Sequence, residues 1–102
     1  MTRQTAKNRI NKILRETTNG LHKDEAWIPV YAAWKALDDA GFVVNVLKSD
    51  YQQNYEGDLV SKTWLFEVEF NGKKPFSGIL TAHGAGSVSY PLERYDISAY
   101  VS

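Results

Sequence analysis

The run His83-Gly84-Ala85-Gly86-Ser87 places an imidazole, two glycines and a hydroxyl just past an apolar extended segment, a setting that suits a phosphate cradle or an oxyanion hole. The match is incomplete. It has no Lys-Ser/Thr pair of a phosphate-binding loop, no third glycine of a dinucleotide fingerprint and no strand-to-helix turn of a nucleophile elbow. Ser87, His83 and Asp96 are the residue types of a serine triad, so a small hydrolase centred on His83 and Ser87 is one reading. A glycine-rich connection between two strands is the plainer one, because nothing in the spacing fixes the geometry of the trio.

The other polar residues assemble no chemistry either. His22 and His83 are the only histidines, and neither has a second ligand at a recognised metal spacing, so no metal site and no cofactor are expected. Glu67 and Glu69 share one side of an alternating segment, where carboxylates are solvated by default. Recognition is the better use of what remains. Between two apolar segments, Ser49-Asp50-Tyr51-Gln52-Gln53-Asn54-Tyr55-Glu56-Gly57-Asp58 is polar and acidic and holds two tyrosines. Read as a long loop, it offers Asp50, Tyr51, Tyr55, Glu56 and Asp58 to a basic partner surface, the rings giving rigid area and the charges steering. An extended hairpin arm, or tyrosines folded back over the sheet, is the competing interpretation. Near the amino terminus Arg3, Lys7, Arg9, Lys12 and Arg15 make a basic helix that could meet phosphates, but they spread over about 240° of the wheel, as the solvated side of an amphipathic helix does.

The elements that would position these residues are helical first and extended afterwards. Ala6, Ile10, Ile13, Leu14 and Thr17 recur at helical spacing over about residues 2–18, with Gly20 suited to a left-handed cap. Asp24 and Glu25 mark the start of a second helix with the stripe Trp27, Val30, Tyr31, Trp34 and Leu37, and Gly41 ends it. Asp38 and Asp39 sit against the macrodipole of that helix, a cost of about 0.3–1 kcal/mol each that solvent screening, or a cation from the first helix or a partner, would relieve. Phe42-Val43-Val44-Asn45-Val46-Leu47 then reads as a first, central strand. Trp64, Phe66, Val68 and Phe70 alternate with Thr63, Leu65, Glu67 and Glu69 as a second. Asn71-Gly72 predicts a tight hairpin turn, Phe76–Ala82 a third strand and Tyr95–Val101 a fourth. The order implies an α+β fold with two amino-terminal helices packed on one face of a four-stranded, mainly antiparallel sheet, as one domain over residues 1–102.

Composition bounds the function classes. The 102 residues carry 12 Lys+Arg and 12 Asp+Glu, a formal charge of zero, which argues against both a strongly basic nucleic-acid binder and an acidic mimic of one. The charge is unevenly placed: residues 1–48 hold eight bases and five acids, whereas residues 49–102 hold four and seven. With no cysteine, stability must come from packing, and a reducing, cytoplasmic setting is expected. No apolar run approaches the ~20 residues of a membrane helix, and the polar start lacks a signal peptide's apolar stretch.

The run Thr63–Phe70, with Asn71-Gly72-Lys73, Phe76-Ser77-Gly78 and Thr81–Gly86, resembles short accessory proteins of bacteriophages and prophages, anti-CRISPR inhibitors among them, over about a third of the chain. The resemblance implies binding and blocking of a host complex rather than catalysis, and transfers no functional residue. The expected function is therefore a non-enzymatic protein-binding protein, an inhibitor of a host defence or nucleic-acid-processing complex with a basic surface. A small nucleic-acid-binding module led by Arg3, Lys7, Arg9, Lys12 and Arg15 is the alternative, and the His83/Ser87 hydrolase a second one. Pairing of an exposed edge strand would also allow a homodimer.

Overall fold

Thr2 has no helical backbone of its own, and its hydroxyl accepts the Thr5 N–H at 3.1 Å, satisfying one of the donors that a helix start leaves unpaired. It opens helix α1 (Arg3–Thr17) in the computed structural model, which describes residues 1–22, 27–53, 59–84 and 95–102, with the backbone alone for 20–22, 27–28, 51–53, 59–60 and 95. Ala6, Ile10 and Leu14 are fully buried, so the helical spacing read from the sequence is the face that packs. The helix does not end on a left-handed Gly20. Thr18 returns both its N–H and its hydroxyl to Leu14 O, and Gly20 is already extended in strand β1 (Gly20–His22).

Helix α2 (Trp27–Asp39) buries Val30, Ala33 and Leu37. Tyr31, expected on that stripe, is exposed, because Ala33 takes the inward position. The end of α2 is a Schellman motif: Gly41 is left-handed at φ 88°, its N–H donates to Asp38 O, and Phe42 N–H donates to Leu37 O. Phe42 and Leu37 are both buried, completing the apolar contact of that motif. Asp39 has a cation from its own helix, since Lys35 Nζ lies 3.5 Å from its carboxylate, while Asp38 is exposed to solvent.

Strands β2 (Val44–Gln53), β3 (Leu59–Phe70), β4 (Lys73–Gly84) and β5 (Tyr95–Val101) form with β1 a five-stranded sheet of order β1-β5-β4-β3-β2, each neighbouring pair antiparallel. The α+β class, the two helices and the four long strands match the sequence reading. The fifth strand, β1, is an addition. The turn between β3 and β4 forms at Asn71 and Gly72, both with positive φ (46° and 71°).

One face of the sheet carries Trp64, Phe66, Val68 and Phe70 from β3, Phe76, Leu80 and Ala82 from β4, and Ile97, Ala99 and Val101 from β5, all buried against the helices. Trp34 meets Phe66 edge-on at 5.0 Å between ring centroids, and Phe70 lies tilted against Phe76 at 5.3 Å. Each large apolar side chain fully buried in this layer contributes about 1.5–3 kcal/mol.

The expected central strand is in fact an edge. The run Phe42–Leu47 looked buried on both sides because it joins three environments: Phe42 belongs to the helix cap, Val44 is half-buried, and Val43, Val46 and Leu47 are exposed. Leu47 is also the extra residue of a bulge, as Val46 pairs with Phe66 and Lys48 with Leu65.

The opposite edge is closed differently. Strand β1 reaches only Tyr95–Ile97, and beyond it two side chains take over the free backbone of β5. Asn19 Oδ1 accepts the Ala99 N–H at 2.9 Å, Asn11 Oδ1 accepts the Val101 N–H at 2.8 Å, and Asn11 Nδ2 donates to Val101 O at 3.3 Å.

Candidate interaction surface

The helices cover one side of the sheet, so alternation sends every second strand residue to the other, open side. The pairing registers arrange those residues in rows. Tyr100, Ile79, Leu65 and Lys48 are successive cross-strand partners from β5 to β2, and Ser98, Thr81, Thr63 and Asp50 form the next row. Tyr100 and Leu65 are exposed and Ile79 half-buried between them, an apolar row across the solvent side. Around it lie Asp50, Glu67, Glu69 and Asp96, with Lys48 at the β2 end of the row. Asn45 Nδ2 donates to Glu69 at 3.3 Å, and Lys48 pairs with Asp50 at 3.3 Å.

Sequence alone did not find the Leu65–Ile79–Tyr100 row. Each of the three occupies a wet position of its own alternating strand, where a lone apolar residue is unremarked. They become one feature only through the registers of β3, β4 and β5.

Of the two readings of the acidic segment, a loop or an extended hairpin arm, its first half follows the second. Strand β2 continues through Gln53 and β3 begins at Leu59, so Asp50 stands opposite Thr63 and Tyr51 opposite Lys62 in an extended hairpin arm. The segment reads as a loop because Ser49–Gln53 is polar on both faces and has lost the apolar period that marks a strand. At the core's end Lys62 Nζ sits 5.1 Å from the Trp64 ring centroid. Of the five residues singled out there, Asp50 is exposed, Tyr51 is placed by its backbone, and Tyr55, Glu56 and Asp58 lie outside the described residues.

The triad candidates are partly brought together. His83 and Asp96 are direct cross-strand partners on the open face, both exposed, held opposite each other by the β4–β5 ladder, and no ion pair joins their side chains. Ser87 lies outside the described residues. His22 belongs to β1, opposite Tyr95, so β5 separates it from the strand of His83. Among the described residues no group of three metal-ligating side chains forms.

The basic set on α1 is divided between structural roles and solvent. The Arg3 guanidinium stands 4.3 Å from the Phe76 ring centroid and donates to Lys74 O at 2.7 Å, tying the helix start to the β3–β4 hairpin. Arg9 lies 5.6 Å from the Phe42 ring, and Lys12 is 4.0 Å from Glu16. Lys7 is half-buried and Arg15 exposed. The uneven charge of the two halves of the sequence thus maps onto the two layers, with bases along α1 and acids on the open sheet.

Among the described residues no helix is long and apolar enough to cross a membrane. Comparison of the chain with protein-family models, with curated proteins and with solved structures returns no match.

Proposed function

We propose that this protein acts by binding another protein, without catalysis, through the open face of its sheet. The observation that carries this reading is the in-register row Leu65–Ile79–Tyr100 on the solvent side, bordered by Asp50, Glu67, Glu69 and Asp96. An apolar, aromatic centre with a charged rim is the anatomy of a recognition patch, and the sign of the rim selects a basic partner surface. The arm of β2 and β3 extends the same face, with Asp50 at its side. Following the resemblance of residues 63–96 to phage accessory proteins, the partner class is a host defence or nucleic-acid-processing complex, whose nucleic-acid groove supplies such a surface.

Affinity capture from a bacterial host lysate tests the proposal when three forms are compared at equal folded concentration. Wild type and an α1 variant (Arg9→Glu, Lys12→Glu, Arg15→Glu) should retain the same partner, and a face variant (Leu65→Ser, Tyr100→Ala, Glu67→Lys) should lose it. A partner retained by the face variant and lost by the α1 variant would overturn the assignment.

A further inference from the structure

The two edges of the sheet are treated differently, and the difference has a use. The β5 side is shortened to the three residues of β1 and then capped by Asn11 and Asn19. The β2 side presents ten residues, paired to β3 and to no other described strand. Three of the exposed large apolar side chains, Val43, Val46 and Leu47, gather at that open edge. Beside them, between α2 and β2, lies a cleft of about 240 Å³ lined by Trp34, Asp38, Phe42, Val43, Val44 and Val46.

The middle of the edge carries the order Lys48-Ser49-Asp50, with both charged side chains exposed on the open face. We propose that β2 pairs antiparallel with β2 of a second copy about a two-fold axis through Ser49, giving a dimer with one continuous sheet. An edge strand turns its free N–H and C=O groups outward at every second residue, so a two-fold pairing of identical strands must centre on a residue rather than between two. Only three centres fall within the charged stretch. Centring on Lys48 sets Lys48 against its own copy, and centring on Asp50 does the same for the carboxylate. Centring on Ser49 sets Lys48 opposite Asp50 of the second copy, twice, and merges the two in-chain pairs into an alternating ring of four charges.

The same pairing closes over the apolar edge. A two-fold normal to the sheet keeps the helices of both copies on one side, so the second strand approaches Val46 and the Trp34 cleft. A lysine and a bulge on an edge discourage unrelated strands. Here the charge order is complementary to itself, so the deterrent selects the chain's own copy.

Sedimentation of the purified protein over a concentration series is the test. Wild type should dimerise. Lys48→Asp and Asp50→Lys should each weaken dimerisation at least about tenfold, because each converts both attractive pairs to repulsive ones. An equimolar mixture of the two variants should regain the dimer, since Asp at 48 then faces Lys at 50 and Lys at 48 faces Asp at 50. Wild type that stays monomeric, single variants that dimerise like wild type, or a mixture that fails to associate while each variant unfolds like wild type would each overturn the proposal. The result is independent of the proposed partner: a monomer that still captures it leaves the binding function standing, and a dimer that captures nothing leaves the pairing standing.

Discussion

Gly78 faces Phe66 across the β3–β4 ladder, and an alanine there would place its Cβ 2.3 Å from both Cε2 and Cζ of that ring. Carbon atoms in contact sit about 3.5–4.0 Å apart, so the ring would have to retreat by more than about 1 Å. It has nowhere to go: Phe66 is buried, and Trp34 stands edge-on against it at 5.0 Å between centroids. Forcing a methyl into such a site costs roughly 1–3 kcal/mol, and the closeness of this clash argues for the upper end, about 3 kcal/mol. Urea unfolding of Gly78→Ala should show the loss as a lower midpoint at unchanged slope. Phe66→Leu opens space at a cost of about 1 kcal/mol, and in that background the alanine should cost at least about 1 kcal/mol less than in wild type. A Gly78→Ala protein within about 0.5 kcal/mol of wild type, or a double variant whose losses simply add, would show that the ring does not pack over the glycine.

Three further outcomes follow from the same geometry. Asn11→Ala should lower stability by about 1–3 kcal/mol and raise hydrogen exchange at the Val101 amide before that at Leu80, because it strips both partners from a buried backbone position. Gly72→Ala should cost about 1 kcal/mol in thermal unfolding, since alanine resists the φ of 71° that the hairpin turn requires. Arg3→Ala should cost about 1 kcal/mol through loss of the Phe76 contact and the bond to Lys74 O, whereas Arg15→Ala should stay within about 0.5 kcal/mol by the same assay.

Features set by neighbouring residues were legible in the sequence. The alternation of Trp64–Phe70 and the Asn71-Gly72 turn announce a hairpin because a strand's period and a turn's φ values are local properties. The position of a strand within the sheet is not local, and Phe42–Leu47 shows why: an apolar run looks the same whether both faces are covered or whether it crosses from a helix cap to an exposed bulge. The arm stayed open between loop and strand for the complementary reason, since strand residues that are polar on both sides lose the period that identifies them. Gly20-Leu21-His22 is too short to have a period at all. The candidate surface needed registers between strands far apart in the chain, and only pairing aligns Leu65, Ile79 and Tyr100. Asp50 stood out in the sequence because charge shows there whatever the backbone does around it.

The carboxamides of Asn11 and Asn19 have a consequence for how this molecule behaves when crowded. A sheet with two receptive margins can recruit copies at either end and grow into a filament. By spending two amides on the backbone of Ala99 and Val101, the chain leaves only the three residues of β1 on that side and a single long receptive margin on the other, so recruitment along the hydrogen-bonding direction halts after one addition. Loss of both amides should therefore show first as turbidity in concentrated solution, ahead of any change in the folded monomer's spectrum.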